Sequence, residues 1–251
     1  MPETVSLAYR DGLALLELRR PDSGNALDPS LVADCLGALD DVEGSDAHTL
    51  LIEGAGKGFC GGFDLSGLAS ETDGSLLLRF VRIELLLQRV ASFPKLTACF
   101  AHRFAYGAGA DLFCACDLRF ADPATRFQFP GVAFGLALGT RRLADLVGRD
   151  RALAMLSRDA PLTAAEAGAP FVTECLPAEE RPQLRERLAL QPPAIDPKAL
   201  PTVLDRLRRV TPAEDMHALV ASAAVPGLKA RIETYRASKL AGEAPARHAN
   251  T

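Results

Sequence analysis

Lys57-Gly58-Phe59-Cys60-Gly61-Gly62-Phe63-Asp64-Leu65 and, further on, Ala105-Tyr106-Gly107-Ala108-Gly109-Ala110-Asp111 are the two stretches that decide how this chain is read. Each is a glycine-dense turn behind an apolar run, Leu50-Leu51-Ile52 in the first case and Leu96-Thr97-Ala98-Cys99-Phe100 in the second. Glycine at the end of a buried strand lets the backbone turn sharply and leaves amide N–H groups uncovered by side chains. Two such turns that converge make an oxyanion hole, in which each donor contributes on the order of 10²–10³ in rate by meeting charge as it develops on a carbonyl oxygen.

Outside the turns the composition is that of an α/β protein. Hydrophobic residues make up 48% of the 251, aromatics only 6% and Trp none, so the core is aliphatic and suits helices packed on a compact sheet. That length suffices for one domain with a helical appendage. The net charge is −4 and Lys and Arg are scattered, which disfavours a nucleic-acid or membrane-surface partner. No apolar run is long enough to span a bilayer, and Met1-Pro2-Glu3-Thr4 leads into alternating sequence without the layout of a secretion signal or presequence. The expectation is a cytoplasmic protein with no membrane partner. Cys35, Cys60, Cys99, Cys114, Cys116 and Cys175 then read as reduced, buried small hydrophobes. Cys114-Ala115-Cys116 has neither metal-ligand spacing nor a neighbouring His, and no metal is expected.

Periodicity supplies the frame. Residues 5–10 and 13–18 alternate around Asp11-Gly12 and predict a hairpin. Asp28 as N-cap and Pro29 in the first turn open a helix over 31–42. A short apolar strand over 49–53 leads to the first glycine turn. Leu76, Phe80, Ile83, Leu86, Leu87 and Val90 recur at helical spacing over 75–92, and Phe93-Pro94 ends the run. A strand over 96–100, a buried helix over 108–116 and a strand over 117–121 follow, an alternation that implies α/β crossovers. Residues 171–177 read as a last core strand. Beyond it, prolines divide the chain into short helices near 182–190, 200–210, 213–223 and 226–236, and 242–251 reads as a frayed polar end.

Together with Arg20-Pro21-Asp22-Ser23-Gly24-Asn25-Ala26-Leu27-Asp28, the two turns resemble the crotonase family, also called the enoyl-CoA hydratase/isomerase family, from about residue 5 to residue 176. The resemblance implies a crotonase-like ββα spiral (the ClpP/crotonase fold) with two roughly perpendicular sheets and an acyl-CoA site over 1–177. A helical trimerisation region over 178–251 would complete it. It further implies a coenzyme A thioester as substrate, no tightly bound cofactor, and a homotrimer or a hexamer built as a dimer of trimers.

Carried over residue by residue, the family's oxyanion amides fall on Phe63 and Ala108. The helix opened by Ala108 would add the positive end of its dipole. A phenyl ring at Phe63, where a small residue is usual, would narrow the acyl pocket. Asp111 matches one of two catalytic glutamate positions, and burial against an apolar pocket would raise its pKa toward general acid/base work. The second acid position is Gly131, so the carboxylate is missing there. Ser23, Ala26, Lys57, Gly61, Asp64, Leu65, Gly107 and Gly131 are the expected substrate-binding positions, with Asp64 orienting its turn. Tyr106 reads as pocket lining and His102 as a lesser candidate base. Arg236 and Lys239 are candidate cations for the coenzyme phosphates.

One acid argues against ordinary hydration, which normally uses two to hold a water. It suffices for proton transfer of the isomerase or hydratase type on a thioester enolate, for a decarboxylase, or for a thioester hydrolase. A catalytically impaired acyl-CoA-binding paralogue or partner subunit is the alternative.

Overall fold

The computed structural model describes residues 4–241; the expected frayed end at 242–251 lies outside them. Strands β1 (Val5–Arg10) and β2 (Leu13–Leu18) pair antiparallel, Leu13 opposite Arg10. Asp11 and Gly12 both have positive φ, 48° and 82°, the geometry of the tight hairpin that the Asp-Gly pair predicts. Helix α1 (Pro29–Glu43) follows, with the Asp28 carboxylate accepting from the Leu31 amide at 2.8 Å.

Strand β3 (Thr49–Gly54) is buried at every position. Helix α2 (Asp73–Ala91) starts two residues earlier than the spacing predicts, because Thr72 and Ser75 form a reciprocal capping box ahead of the apolar pattern. Strand β4 (Leu96–Ala101), β5 (Phe104–Tyr106), α3 (Ala108–Ala115), β6 (Leu118–Ala121) and β7 (Arg126–Gln128) come next. Then follow α4 (Thr140–Val147), α5 (Arg149–Leu156), β8 (Leu162–Thr163), α6 (Ala164–Ala167) and β9 (Glu174–Cys175). Four helices close the described chain: α7 (Arg181–Leu190), α8 (Leu200–Leu207), α9 (Pro212–Ala223) and α10 (Leu228–Leu240).

The main sheet has the order β1-β2-β3-β4-β6-β9, parallel from β2 onward, and β5, β7 and β8 form a second, three-stranded sheet. Alternation along the strands divides the core in two. Leu50, Ile52, Cys99 and Ala101 join the core that contains α1, α2 and α3, while Leu51, Ala98 and Phe100 face α7 through Leu184, Leu188 and Ala189. β3 and β4 are covered on both faces, which is why their sequence is continuously apolar rather than alternating.

Two expectations need correction. The strand expected over 171–177 is reduced to Glu174–Cys175, beside Phe120 and Ala121 of β6. Upstream of it the buried Arg119 side chain gathers the carbonyls of Cys116, Asp117, Pro170 and Phe171, so the chain crosses the sheet end as a turn instead of extending along it. Phe171 and Val172 are buried there as plugs. Cys175, read as buried, is exposed on this short edge strand; the other five cysteines are buried, and all six are free.

Candidate active site

The first glycine turn is held between two neighbours by pairs of backbone bonds. On one side Leu27 N donates to Gly62 O (2.7 Å) and Asp64 N to Leu27 O (3.3 Å). On the other, Tyr106 N donates to Cys60 O (3.0 Å) and Phe59 N to Phe104 O (3.1 Å). Asn25, fully buried, fixes the entry: its amide nitrogen donates to Ala55 O and Gly58 O, and its oxygen accepts from the Arg20 amide, each at 2.9 Å. Every polar atom of that Asn side chain is thereby partnered, as burial demands.

At the centre the two turns touch. A Cβ built on Gly62, whose φ is +86°, would overlap the Tyr106 carbonyl oxygen and sit 3.2 Å from the Ala108 nitrogen. Only glycine permits that approach, and it brings the peptide leading to Phe63 against the start of α3. Among the described residues neither the Phe63 amide nor the Ala108 amide donates a hydrogen bond. Both residues line one cavity of about 110 Å³.

That cavity brings together seven of the expected positions: Gly61, Phe63, Leu65, Gly107, Ala108, Asp111 and Gly131. Leu136, Leu138 and Phe134 enlarge its apolar wall, and Ile232 and Tyr235 of α10 close it from the carboxy-terminal region of the same chain. Ser23, Ala26, Lys57 and Asp64 do not line it. The Ser23 oxygen and the Ala26 Cβ lie behind Gly61, 3.9 and 4.0 Å from where its Cβ would be, and Lys57 is exposed on the preceding turn.

Asp64 is buried and accepts from the Ser66 amide and from Arg20, both at 2.8 Å. Burial opposes its charge, but the Ser66 and Arg20 bonds outweigh it and hold the carboxyl below its ordinary range. Tyr106, expected in the pocket, instead stacks on Phe104, and its part in the site is the backbone carbonyl that meets Gly62. His102 is also outside the cavity. Its Nε2 lies 3.0 Å from Gly56 O, and burial lowers its pKa. Of the candidate cations on α10, Lys239 lies over the Tyr235 ring at 5.7 Å.

Phe63 narrows the cavity in a fixed way. Its ring stacks on Phe80 with centroids 4.3 Å apart, and the Arg79 guanidinium lies over it at 4.1 Å. Arg79 is itself tied to Glu71 (2.8 Å) and to the Asp64 carbonyl (2.7 Å). A ring pair contributes about 0.5–1.5 kcal/mol beyond burial, and a cation over a ring about as much again. The phenyl therefore forms a wall and not a mobile plug.

Asp111 occupies the first turn of α3, every residue of which is buried, and is only 6% exposed. Desolvation raises its pKa to about 7; Glu84 pushes in the same direction, and Arg142 and the Gly139 backbone N–H oppose them. Gly139 presses on the carboxyl so closely that a Cβ there would overlap Oδ1. Gly131 differs: a Cβ would meet only Leu136, at 3.7 and 3.9 Å.

Sequence reasoning missed Glu84, Arg142 and Gly139. The signal for Glu84 was present: it falls on the same face of α2 as Phe80 and Leu87, where a charge interrupts the apolar stripe. Arg142 and Gly139 carry no such mark, since their positions depend on the fold around α4. Among the described residues no group of three His, Cys, Asp or Glu could hold a metal, and no helix is long and apolar enough to cross a membrane.

Comparison with known proteins bears on the family and the fold. The sequence pattern of the enoyl-CoA hydratase/isomerase family matches residues 8–190. The chain superposes on a crystal structure from Bordetella parapertussis, described as an enoyl-CoA hydratase/isomerase, with a TM-score of 0.89 and 40% identity over 93% of this chain and 98% of that one. It is 37% identical over 163 residues to echA6 of Mycobacterium tuberculosis (strain CDC 1551 / Oshkosh), named a probable enoyl-CoA hydratase; the match spans 64% of this chain and 65% of that protein's length. An ethylmalonyl-CoA decarboxylase of Mus musculus is 29% identical over 168 residues, 64% of this chain and 52% of its own. The chain belongs to the enoyl-CoA hydratase/isomerase, or crotonase, family, and its fold is the crotonase fold.

Proposed function

We propose that the protein is an acyl-CoA-processing enzyme that moves a proton on a thioester enolate, with Asp111 as its single acid/base. The observation that carries this reading is one cavity lined by Phe63 and Ala108, whose amides donate to no partner among the described residues, and by Asp111, whose carboxyl burial pushes up to about 7. The thioester oxygen sits between the amides, which stabilise it as the α-carbon loses its proton. Ionised Asp111 takes that proton, and the resulting acid returns one to the α- or γ-carbon. A pKa near the working pH suits both halves of that exchange, because neither protonation state is rare. Coenzyme A would run outward past Gly61 and Lys57, and the acyl chain would lie along Phe63, Leu136 and Ile232.

Gly131 decides between reaction types. Asp111 is the one carboxylate that lines the cavity among the described residues, so no pair of acids grips a water there, and isomerase-type transfer is favoured over hydration. A second reading is protonation of an enolate left by decarboxylation, favoured by the apolar wall around the same acid and by the likeness to the murine decarboxylase.

The test is isotopic. Incubated in D₂O with 2-enoyl-, 3-enoyl- and saturated acyl-CoA thioesters, the protein is expected to place deuterium at the α-carbon, and Asp111→Asn to abolish this. Binding of the thioesters without exchange across the panel would refute the reading in favour of an impaired acyl-CoA binder.

A further inference from the structure

The cavity beside Asp111 is apolar and small, and one of its walls is a side chain of the first glycine turn itself. Its volume is about 110 Å³, and among the described residues Asp111 is the only charged side chain that lines it. By proportion to an apolar cavity of roughly 150 Å³ that holds a six-carbon ring, there is room here for about four carbons. Two ring pairs line it: Phe63 with Phe80, and Phe134 with Tyr235 of α10, the latter centroids 5.5 Å apart.

Phe63 stands where the cavity would otherwise extend. Its side chain packs against the core around α1, α2 and α3 and also against a separate apolar cluster that joins Phe80 of α2, Leu219 of α9 and Ile232 of α10. Space opened by removing the ring would therefore be lined by hydrocarbon, suited to more of an acyl chain. The ring is held in place from both ends. Its backbone is fixed by the bonds of Gly62 and Asp64 to Leu27, and its face lies under Arg79, 4.1 Å from the guanidinium. That guanidinium donates to Glu71 at 2.8 Å and to the carbonyl of Asp64, the next residue of the same turn, at 2.7 Å. A longer guest could move the ring only by disturbing the stack on Phe80 and the cation above it, both of which are attractive contacts.

We infer that the Phe63 ring sets the length of acyl chain the protein accepts, and that its thioesters are short, with about four acyl carbons. The residue then has two separate tasks, its amide facing the thioester oxygen and its ring ending the room for the chain. A change of side chain alters the second and leaves the first donor in the backbone. This inference rests on the reading of the cavity as the acyl site of a proton-transferring enzyme, and binding measured apart from turnover separates the two.

The experiment is calorimetric binding of saturated butanoyl-, hexanoyl-, octanoyl- and decanoyl-CoA to the full-length protein. Wild type is expected to bind butanoyl-CoA about 10-fold or more tightly than octanoyl-CoA, the scale on which a pocket rejects methylenes it cannot hold. In Phe63→Ala the order is expected to invert, each methylene newly buried adding about 4-fold to affinity. Phe63→Leu should fall between them. Wild type that binds octanoyl-CoA as tightly as butanoyl-CoA overturns the inference, as does a Phe63→Ala preference equal to that of wild type. If Phe63→Ala does not fold, the wild-type series and Phe63→Leu decide the matter by themselves. α-Deuterium exchange is measured with the same thioesters. Length selection in binding without any exchange refutes the proton-transfer reading and leaves the inference standing; exchange and binding indifferent to length do the reverse. A protein that binds none of the thioesters refutes both.

Discussion

Gly139 and Gly131 line the same cavity and are glycine for opposite reasons. At Gly139 there is no room, because a Cβ would overlap the Asp111 carboxyl. At Gly131 there is ordinary van der Waals space, with Leu136 at 3.7 Å and no positive φ to demand glycine. One wall of the site is thus built tightly around a carboxyl. The other is open where relatives with two acids would carry the second. The contrast teaches that two glycines of one cavity meet different constraints: a side chain is excluded sterically at 139 and is not at 131.

The largest test of that contrast removes the acid itself. Asp111→Asn is expected to lower α-proton exchange by about 10²–10⁴-fold, the usual contribution of a positioned acid/base. The same variant has a signature in stability. A carboxyl raised in the folded state to about 7 binds a proton that the unfolded chain, titrating near 3.8, has already lost. Stability contributed by the neutral form is therefore full below pH 4 and declines as pH rises to 7. Asp111→Asn escapes this loss, and denaturant titration should find it more stable than wild type by up to about 4 kcal/mol at pH 8, with no advantage near pH 4.

Next comes the crowded glycine. Gly139→Ala is expected to displace the carboxyl and cost about 10²-fold in exchange, as a displacement on the ångström scale does, with substrate binding by calorimetry much less affected. Equal loss of binding and exchange would mean that the pocket had collapsed, and the contrast with Gly131 would then lose its meaning.

The open glycine gives the smallest expected perturbation. Gly131→Ala should fold with a stability change of about 1 kcal/mol or less, judged by thermal unfolding, since its Cβ would make only ordinary contact with Leu136; the step beyond it is Gly131→Glu, which should fold as well. Gly131→Glu should also introduce measurable hydration of a short 2-enoyl-CoA, read as loss of the conjugated thioester absorbance. A variant that unfolds would show that the apparent space is illusory. One that folds without hydrating would show that the position is open but wrongly aimed.

Much of this was legible beforehand, and the reasons differ by element. The hairpin was marked by Asp11-Gly12, α1 by Asp28 and Pro29, and α2 by six apolar residues at helical spacing. The two glycine turns located Phe63, Ala108 and Asp111 because glycine leaves a local mark wherever backbone must come close to backbone. Between 126 and 167 the reading was thin. β7, α4, α5, β8 and α6 are short, with only two or three residues in each strand, and are held by partners distant in sequence, so periodicity has too little length to register. The placing of Tyr106 failed for a related reason. Proximity along the chain to a glycine turn does not say which way a side chain leaves it.

The sequence by itself determined the strand and helix order around the two turns, the acid at 111 and the lack of one at 131. These are properties of local spacing and of single residue types. Only the tertiary structure decided that Gly139 crowds that acid, that Arg142 pairs with a buried Glu84, that the Phe63 ring packs on Phe80 and under Arg79, and that α10 shuts the cavity from within the same chain. Charge and steric fit act through space over a few ångströms. Residues 111 and 139, or 63 and 232, meet at one cavity only when the whole core has closed.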